Sequence, residues 1–259
     1  MAEQIKRGSV ESKRDALFQL RNLETAEASR IAVPALQDSN EIVRVTATYS
    51  VVYLQSDEAV QVLLPLLKDK SILVRKETAY ALGKTKSSIG VQPLLEILQK
   101  DKIFEVRASS VVALGEIGDI SAVTELLKIL QTKSKDGEDF LRRAVARGIG
   151  QIAQIQQVTL GYVVTPESLL PEKYDTFANF KYANLAEKYP QFRQSVSVLL
   201  SVLQNQKESD DVRREAAFAL GTIGDKSAIL TLQNNLSSND YYLAEICKEG
   251  LQKIQSTTK

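Results

Sequence analysis

Residues 210–226 read DDVRREAAFALGTIGDK, and this stretch decides the fold. Three other stretches follow the same pattern of an aliphatic residue, a basic residue and then alternating small and bulky apolar residues. They begin at Glu41, Ile72 and Phe104 and read EIVRVTATYSVVYL, ILVRKETAYALGKT and FEVRASSVVALGEIGD. A chain that repeats itself at a fixed period is built as a stack of similar units. The sequence therefore predicts a repeat architecture.

The register of the repeats is marked by the basic residue that follows the first aliphatic residue of each copy. Successive anchors lie 31 to 35 residues apart, except for one step of 71 residues. The anchors are Lys13, Arg44, Arg75, Arg107, Arg142 and Arg213, with Ala244 in the last copy. Within each copy the apolar side chains recur at offsets that form one face of an α-helix. A small residue on this face allows a neighbouring helix to approach to about 8–10 Å between axes.

A second helix is predicted after most of these first helices. The second helices cover residues 26–36, 58–67, 90–98, 121–130 and 226–236. Turn residues such as Gly118 and Gly224 precede them, and we expect Pro34 and Pro65 to kink or restart their helices. Each helical pair is too short to be stable alone, so neighbouring pairs bury their shared apolar faces. The sequence predicts an all-α solenoid of about six to seven hairpins, forming a single domain over residues 1–259.

Composition excludes several classes of function. The 259 residues include no histidine, so there is no imidazole for a metal site, a Ser-His-Asp or Cys-His nucleophile, or acid–base catalysis. The formal net charge of +1 gives no whole-chain field that would attract nucleic acid. No glycine-rich phosphate loop and no apolar run long enough to span a bilayer occur. We therefore expect no cofactor, no metal, no nucleic-acid partner and no membrane span, and the polar first residues favour a cytoplasmic location.

The repeat is clearest in two stretches, VRASSVVALGEIGD at residues 106–119 and VRREAAFALGTIGD at residues 212–225. This pattern resembles the HEAT repeat and, within it, the short subclass first noticed in phycobilisome lyases. The resemblance covers nearly the whole chain outside residues 156–189. It implies a right-handed α-solenoid whose second helices line the concave face. Because the repeat is used for many purposes, the resemblance indicates the fold rather than the function.

An aspartate stands six positions before several of the anchors. The pairs are Asp38 and Arg44, Asp69 and Arg75, Asp101 and Arg107, and Asp136 and Arg142. In HEAT-like proteins such residues form a structural ladder between adjacent loops. We interpret them in this way rather than as a charged ligand surface. The copy at Arg213 departs from the pattern, because Lys207 stands at the acidic position.

The long step between anchors contains an insertion at about residues 156–189 that does not follow the repeat. We predict a first helix at 141–155, its displaced partner at 191–203 and a further helix at 176–189. Seven aromatic residues of this region are the predicted binding residues, because aromatic rings dominate binding hot spots. They are Tyr162, Tyr174, Phe177, Phe180, Tyr182, Tyr189 and Phe192. The alternative is that these rings pack onto the solenoid and fill the place of a displaced helix.

The last helix is predicted at about residues 240–255 and has no partner after it. Terminal repeats need an outer face that does not continue the stack, and we interpret Tyr241 and Tyr242 as part of this cap. Cys247 lies on the apolar face of the same helix. We interpret it as a small buried side chain, because no histidine is available to activate its thiol.

These features favour a monomeric, non-catalytic scaffold or adaptor that binds another protein through the concave face and the aromatic insertion. The alternative is a bilin lyase subunit or a related chromophore-handling factor, which the subclass resemblance suggests. The chain lacks the Trp and His that would hold or protonate a tetrapyrrole. Two other HEAT-like classes fit less well. The iron site of deoxyhypusine hydroxylase requires histidine, and HEAT-like DNA glycosylases are strongly basic.

Overall fold

The computed structural model describes residues 1–132, 137–161 and 182–257. These residues form α-helices joined by short turns, and no β-strand occurs among them. The predicted all-α class is therefore confirmed. The internal contacts of the chain separate two compact units, Met1–Ile117 and Gly118–Lys259, which we call unit 1 and unit 2.

Unit 1 consists of helical hairpins stacked in chain order. Its helices are α1 Ala2–Arg7, α2 Val10–Arg21, α3 Ala26–Ala32, α4 Glu41–Ser50, α5 Ser56–Leu63, α6 Ile72–Thr85, α7 Val91–Lys100 and α8 Phe104–Ile117. The first helices α2, α4, α6 and α8 pack side by side, each on the next. The second helices α3, α5 and α7 each pack against the first helix that follows. This nearest-neighbour packing is typical of repeat proteins.

Unit 2 has the same two rows of helices. Its described helices are α9 Val123–Gln131, α10 Asp139–Thr159, α11 Leu185–Lys188, α12 Pro190–Gln204, α13 Asp210–Ile223, α14 Ile229–Asn234 and α15 Tyr241–Ser256. The first helices α10, α13 and α15 pack in order, and α12 packs against both α9 and α14. Helix α12 thus occupies the second-helix position that was predicted for residues 191–203. Helix α15 covers the predicted terminal helix to within one residue.

The two Gly-Asp turns explain how a first helix ends and the next segment begins. Gly118 and Gly224 have φ angles of +78° and +80°, a left-handed conformation that glycine adopts without steric cost. The aspartates that follow accept hydrogen bonds from backbone N–H groups two residues later, with Asp225 to Ser227 at 2.9 Å. Each pair therefore stops one helix and caps the short 3-10 turn that leads into the next.

Two prolines shorten second helices of unit 1, as predicted. Helix α3 ends at Ala32 and continues as a 3-10 turn over Val33–Gln37 that contains Pro34. Helix α5 ends at Leu63 and continues as a 3-10 turn over Leu64–Lys68 that contains Pro65. Proline lacks the N–H that an α-helix needs in its interior, so the tighter turn replaces the last helical turn.

The repeat pattern places its apolar positions in the core. The aliphatic residue before the anchor is buried in the six copies that have one: Val43, Val74, Val106, Leu141, Val212 and Leu243. The small residues allow close helix packing, most clearly between α13 and α15. A β-carbon on Gly221 would lie 2.5 Å from the Cα of Gly250, so no larger side chain fits at Gly221 without moving a helix.

The irregular region differs in two ways from the prediction. Helix α10 extends to Thr159, four residues beyond the predicted end. The helix predicted at 176–189 is wrong at residues 182–184, which are not helical, and α11 covers only Leu185–Lys188. The side chain of Asn184 caps the start of α11, and Tyr189 is extended because Pro190 follows it. The remainder of that predicted helix lies outside the described residues.

Among the described residues, no helix is both long enough and apolar enough to span a membrane.

Candidate functional site

A ladder of ion pairs joins successive repeats of unit 1. A cation near the start of α2, α4 and α6 binds an aspartate in the loop that precedes the next first helix. The N–O distances are 2.6 Å for Lys13–Asp38, 2.8 Å for Arg44–Asp69 and 2.7 Å for Arg75–Asp101. In both arginine pairs two guanidinium nitrogens donate to the two carboxylate oxygens, which is the strong bidentate geometry of this pair.

Each arginine also binds the backbone of its own loop. Nη1 of Arg44 donates to the carbonyl oxygens of Asp38 and Ser39, at 2.8 and 3.1 Å. Nη1 of Arg75 donates to the carbonyl oxygen of Asp69 at 3.0 Å. The six-residue spacing in the sequence thus reflects a contact with the aspartate backbone. The carboxylate of the same aspartate binds a different cation, which lies 25 or 26 residues earlier in the chain. The ladder therefore links neighbouring hairpins.

The ladder aspartates are held in their charged form. Burial would raise the pKa of Asp69 and Asp101, but hydrogen bonds from the arginines and from backbone N–H groups outweigh it, and the pKa of both carboxyls is lowered. Asp38 has a lowered pKa for the same reasons, with a lysine as its partner. A carboxylate that is charged and fully engaged has no spare capacity for proton transfer. Each of these aspartates thus joins two neighbouring hairpins through an ion pair.

The described residues of the next repeats include Arg107 and Arg142 but not Asp136. Asp136 lies outside the described residues, and the Nε atom of half-buried Arg107 has no hydrogen-bond partner in the described part of the chain. Arg142 binds Glu208 through Nε at 2.7 Å, and the side chains are only 3% and 1% exposed. Nη1 of Arg142 also donates to the carbonyl oxygen of Ile129 at 2.8 Å. This arginine is thus a buried anchor of unit 2.

Arg213 does not form the ladder pair of its repeat. It donates to the carbonyl oxygen of Leu203 and to Oδ1 of Asn235, both at 3.1 Å. The adjacent Arg214 binds Asp240 instead, through bonds of 2.8 and 3.0 Å. The pair is separated by 26 residues, as is the last arginine pair of unit 1. Arg214 therefore has the ladder role that was predicted for Arg213.

The sequence analysis missed Glu208 and Arg214 for one shared reason. Each lies one position after the residue that the register selected, namely Lys207 and Arg213. When a loop is one residue longer or shorter, the acid or the cation no longer falls at the expected repeat position, although the ion pair still forms. A search for a cation followed by an acid 25 or 26 residues later would have found Arg214, whereas Glu208 lies 66 residues after its partner.

The predicted binding aromatics are divided by the limits of the described residues. Four of them, Tyr162, Tyr174, Phe177 and Phe180, lie outside those residues. The other three belong to the segment that leads into α12, and their positions are known.

Two of these three rings are part of the core of unit 2. Tyr182 is 4% exposed and Phe192 is 0% exposed. Tyr189 is half-buried, and its ring packs edge-to-face on Phe192 with 6.0 Å between centroids. This corrects the prediction for Tyr182 and Phe192, because a partner cannot reach rings that already fill the interior. They have the packing role of the alternative interpretation.

A buried glutamine holds the chain next to these rings. Nε2 of Gln157 donates to the carbonyl oxygens of Ala183 and Thr222, both at 2.9 Å, and Oε1 accepts from the N–H of Ala183 at 2.9 Å. Thr222 lies in the last turn of α13, where carbonyl oxygens lack partners within the helix. One side-chain amide therefore joins α10, the segment before α11 and the end of α13.

The single cysteine is buried, as the sequence analysis expected. Cys247 is fully buried on α15. Burial raises the pKa of its thiol to about 12. The thiol is therefore protonated near neutral pH and is a poor nucleophile.

The start of α15 carries the most exposed aromatic pair of the described residues. Tyr241 and Tyr242 are 69% and 67% exposed, and their rings meet edge-to-face with 5.8 Å between centroids. The guanidinium carbon of Arg214 lies 5.3 Å from the ring centre of Tyr242, a distance at which cation–π attraction operates. Both rings are therefore accessible to solvent, and the ring of Tyr242 also contacts Arg214.

Surface recesses of unit 1 lie along its loop edge. One recess of about 570 Å³ lies between α1, α2 and α3. A second recess of about 430 Å³ follows it, next to Arg44, Pro65 and Lys70. In the described ranges, no group of three or more His, Cys, Asp and Glu side chains is arranged to hold a metal ion.

Comparison with protein families identifies the repeats. The family model for HEAT repeats matches residues 29–114. The model for the PBS lyase HEAT-like repeat matches residues 106–132 and 212–238, which contain the two stretches with the clearest repeat pattern. A comparison with curated proteins found no significant match.

Comparison with solved structures finds similar helical proteins at low sequence identity. An engineered protein is 21% identical, with 98% of this chain and 67% of that chain covered and a TM-score of 0.57. Human deoxyhypusine hydroxylase is 18% identical, with coverage of 98% and 83% and a TM-score of 0.42. The complex of CpcE and CpcF of phycocyanin lyase from a Nostoc species is 21% identical, with coverage of 87% and 94% and a TM-score of 0.41.

The first of these similarities concerns the fold alone, because the identity is low. The other two have TM-scores that carry no argument about function. The fold and the matched repeats agree with each other and with the resemblance found in the sequence. The chain is a HEAT-repeat protein that contains repeats of the PBS lyase HEAT-like subclass.

Proposed function

We propose that this chain is a non-catalytic scaffold or adaptor that binds another protein. The observation that carries the proposal is the pair of exposed rings at Tyr241 and Tyr242 on α15, which we here assign to a partner contact rather than to the terminal cap. Tyrosine supplies a large contact area with few rotatable bonds, and it is enriched among the residues that dominate protein interfaces. Arg214 supports one ring and is itself held by Asp240. Tyr242 is thus in contact with a side chain that is itself held by an ion pair.

Two further surfaces belong to the proposal. One is the exposed face of the second helices, which the HEAT resemblance assigns to the concave side. The other is the aromatic segment with Tyr162, Tyr174, Phe177 and Phe180, together with the half-buried Tyr189. Tyr182 and Phe192 are buried and are left out of the proposed contact.

The use of the charged side chains supports a structural role for this chain. The ladder aspartates have lowered pKa values and bind cations of the neighbouring hairpin. A general acid or base needs a pKa near the working pH and a free position for the substrate. Cys247 has neither exposure nor a lowered pKa. These groups therefore stabilise a surface on which another protein binds.

Co-purification from the native source, followed by cross-linking and mass spectrometry, tests the proposal. We expect wild-type protein to recover a specific partner, and the double variant Tyr241→Ala/Tyr242→Ala to recover much less of it. Phe18→Ala is the matched control, because Phe18 is an exposed aromatic residue of unit 1. Recovery of no partner, together with activity on a small molecule, would contradict the scaffold function.

The second candidate is a bilin lyase subunit or chromophore-handling factor. It is favoured by the match to the PBS lyase HEAT-like repeat at residues 106–132 and 212–238. Purified protein mixed with a bilin should then shift the visible absorption spectrum of the bilin. An unchanged spectrum at saturating protein would remove this candidate and leave the scaffold function as it stands.

A further inference from the structure

Ser238 stands at the place that an aspartate has in the ladder of unit 1. Each ladder aspartate accepts a hydrogen bond from the backbone N–H two residues later, at 2.8 Å in all three cases. The hydroxyl oxygen of Ser238 accepts from the N–H of Asp240 in the same way, at 3.2 Å. Ser238 also follows Arg213 by 25 residues, which is the separation within the first two pairs of the ladder. The loop of the ladder is thus present here, with a hydroxyl group where the loops of unit 1 have a carboxylate.

Arg213 is a buried cation whose ion-pair partner in the described part of the chain is largely exposed. The side chain of Arg213 is 8% exposed, and its Nη1 meets Oδ1 of Asp210 at 3.4 Å, whereas the side chain of Asp210 is 62% exposed. A long contact with such exposure contributes little. Nη2 and Nε donate to neutral oxygens of Asn235 and Leu203, both at 3.1 Å. Of the five N–H groups of this guanidinium, three therefore have an acceptor among the described residues.

A recess of about 390 Å³ is lined by Arg213 and by polar side chains only. We call it the Arg213 recess. Besides Arg213, Asp210 and Asp240, its lining consists of four amides and two hydroxyls: Gln206, Asn234, Asn235, Asn239, Ser237 and Ser238. Amide and hydroxyl groups can donate hydrogen bonds to an anion. Because a buried arginine and these neutral donors line the same space, the recess can hold one negatively charged group.

The other pairs of the ladder indicate which anion fits. Arg44 and Arg75 each bind the two oxygens of one carboxylate side by side, a geometry that matches the guanidinium fork. The exposed acid near Arg213 does not exclude such a pair. Glu41 precedes Arg44 by three residues, as Asp210 precedes Arg213, and Arg44 nevertheless binds its ladder carboxylate. A carboxylate is therefore the anion that this kind of site binds elsewhere in the chain.

The two aspartates that line the recess favour a singly charged anion. Asp240 is bound by Arg214 through two hydrogen bonds, and Asp210 lies mostly in solvent. A carboxylate adds one negative charge to this set. A phosphate dianion adds two and meets about twice the repulsion. The observations therefore favour a carboxylate over a phosphate.

We propose that the Arg213 recess binds one carboxylate group from outside the chain, which pairs with Arg213 as a ladder aspartate would, and that an aspartate or glutamate side chain of the partner protein supplies it. The part that concerns the partner rests on the proposed scaffold function. Asp240 lines the recess and directly precedes Tyr241. It is bound by Arg214, which also contacts the ring of Tyr242. The carboxylate would therefore bind next to the part of the partner that contacts the two rings.

Titration with acetate tests the recess itself. The Nε–H signal of Arg213 is followed by NMR at constant ionic strength and is assigned by its loss in Arg213→Lys. We expect acetate to shift this signal saturably and acetamide, which has a similar shape without the charge, to leave it in place. Equal shifts with acetate and acetamide, or with acetate and chloride, would overturn the proposal. Tighter binding of inorganic phosphate than of acetate would overturn the assignment to a carboxylate.

The variant Ser238→Asp supplies the carboxylate within the chain. We expect its affinity for acetate to fall about tenfold or more. Its urea midpoint should exceed that of Ser238→Asn, which keeps an acceptor for the N–H of Asp240 but has no charge. Ser237→Asp is the matched control, because it adds the same charge at a neighbouring lining residue. It should weaken acetate binding less than about threefold and should not raise the midpoint. Equal effects of the two aspartates would show general repulsion and contradict a ladder site at Ser238.

Removal of the exposed acid beside Arg213 should have the opposite effect. In Asp210→Asn the guanidinium loses its weak competing partner, and we expect acetate to bind about two- to fivefold more tightly. Glu187→Gln is the control for net charge, since Glu187 is an exposed acid of unit 2 that does not line the recess. It should leave the affinity unchanged. No gain in Asp210→Asn, or an equal gain in both variants, would contradict binding of acetate at Arg213.

Co-purification with the same variants separates this proposal from the scaffold function. We expect Ser238→Asn to recover the partner from the native source and Ser238→Asp to recover much less of it. If Ser238→Asp recovers the partner as well as wild type does, the partner does not use the recess, and the scaffold function stands. If wild type recovers no partner, the scaffold function fails, and the acetate titration still decides whether the recess binds a carboxylate.

Discussion

The side-chain amide of Gln157 and the backbone of Ala183 bind each other through two hydrogen bonds, each 2.9 Å long. The amide group acts as donor and acceptor at once, so both backbone groups of Ala183 are satisfied inside the protein. Nε2 of Gln157 also binds the carbonyl oxygen of Thr222. This arrangement holds Ala183 between α10 and the end of α13, next to the buried ring of Tyr182.

Replacing this amide by an apolar side chain of similar size should destabilise unit 2. Gln157→Leu leaves the N–H and C=O of Ala183 and the C=O of Thr222 buried without partners, and we expect a loss of about 2–3 kcal/mol in the free energy of unfolding. Urea unfolding followed by circular dichroism measures it. Gln154→Leu on the same helix is the control, with an expected change within about 0.5 kcal/mol. Equal effects of the two substitutions would contradict a special role for Gln157.

The ladder pairs should matter more than an exposed pair of the same geometry. Arg44→Ala leaves the carboxylate of Asp69, whose side chain is 12% exposed, without its cation, and we expect a loss of about 3 kcal/mol in unfolding free energy. Arg30 binds Glu58 with the same bidentate geometry, but the side chains are 51% and 38% exposed. Arg30→Ala should therefore change stability little. Similar losses in chemical denaturation would show that burial does not set the strength of these pairs.

Stability should fall in acid in a window set by the ladder aspartates. The pKa values of Asp38, Asp69 and Asp101 are lowered from the ordinary value of 3.8. A carboxyl with a lowered pKa in the folded state stabilises the protein above its unfolded pKa, and this contribution is lost as pH falls through the folded value. We expect a constant urea midpoint from about pH 7 to 5 and a decrease below about pH 4.

The triple variant Asp38→Asn, Asp69→Asn and Asp101→Asn is the control for this acid transition. Asparagine keeps the acceptor for the loop N–H group but has no charge to titrate. Its midpoint should be lower at neutral pH and should depend less on pH below about pH 4. An acid transition of unchanged size in the variant would assign the transition to other carboxyls. The chain contains no histidine, so no imidazole contributes between about pH 5 and 8.

The thiol of Cys247 should be unreactive in the folded protein. Its pKa is raised to about 12 by burial, so an aromatic disulfide reagent at about pH 8 meets neither thiolate nor access. We expect no reaction with native protein and complete reaction in denaturant. Ser237→Cys in a Cys247→Ser background supplies an exposed thiol in the loop before α15 and should react in the native state. Rapid reaction of native Cys247 would show that α15 opens from its neighbours.

Much of the architecture could be predicted from residue patterns, and the reason is physical locality. The helical period, the Gly-Asp turns at Gly118 and Gly224 and the effect of Pro34 and Pro65 depend on residues a few positions apart. Sequence-level rules describe such distances well. The predicted core positions are buried for the same reason, because an apolar face must pack on the next hairpin.

The repeats, the helical class and the family could thus be predicted from the amino-acid sequence, because short-range periodicity specifies each hairpin. Similar hairpins then stack because each must bury its apolar face against a neighbour. The ion-pair partner of Arg142 was decided by folding in three dimensions, since this arginine binds an acid 66 residues away. The burial of Tyr182 and Phe192 came from the same source. An aromatic residue gives the same sequence pattern whether it lies in a core or on a surface. The hydrogen bonds of Gln157, which hold the chain next to Tyr182, join residues that are 26 and 65 positions apart.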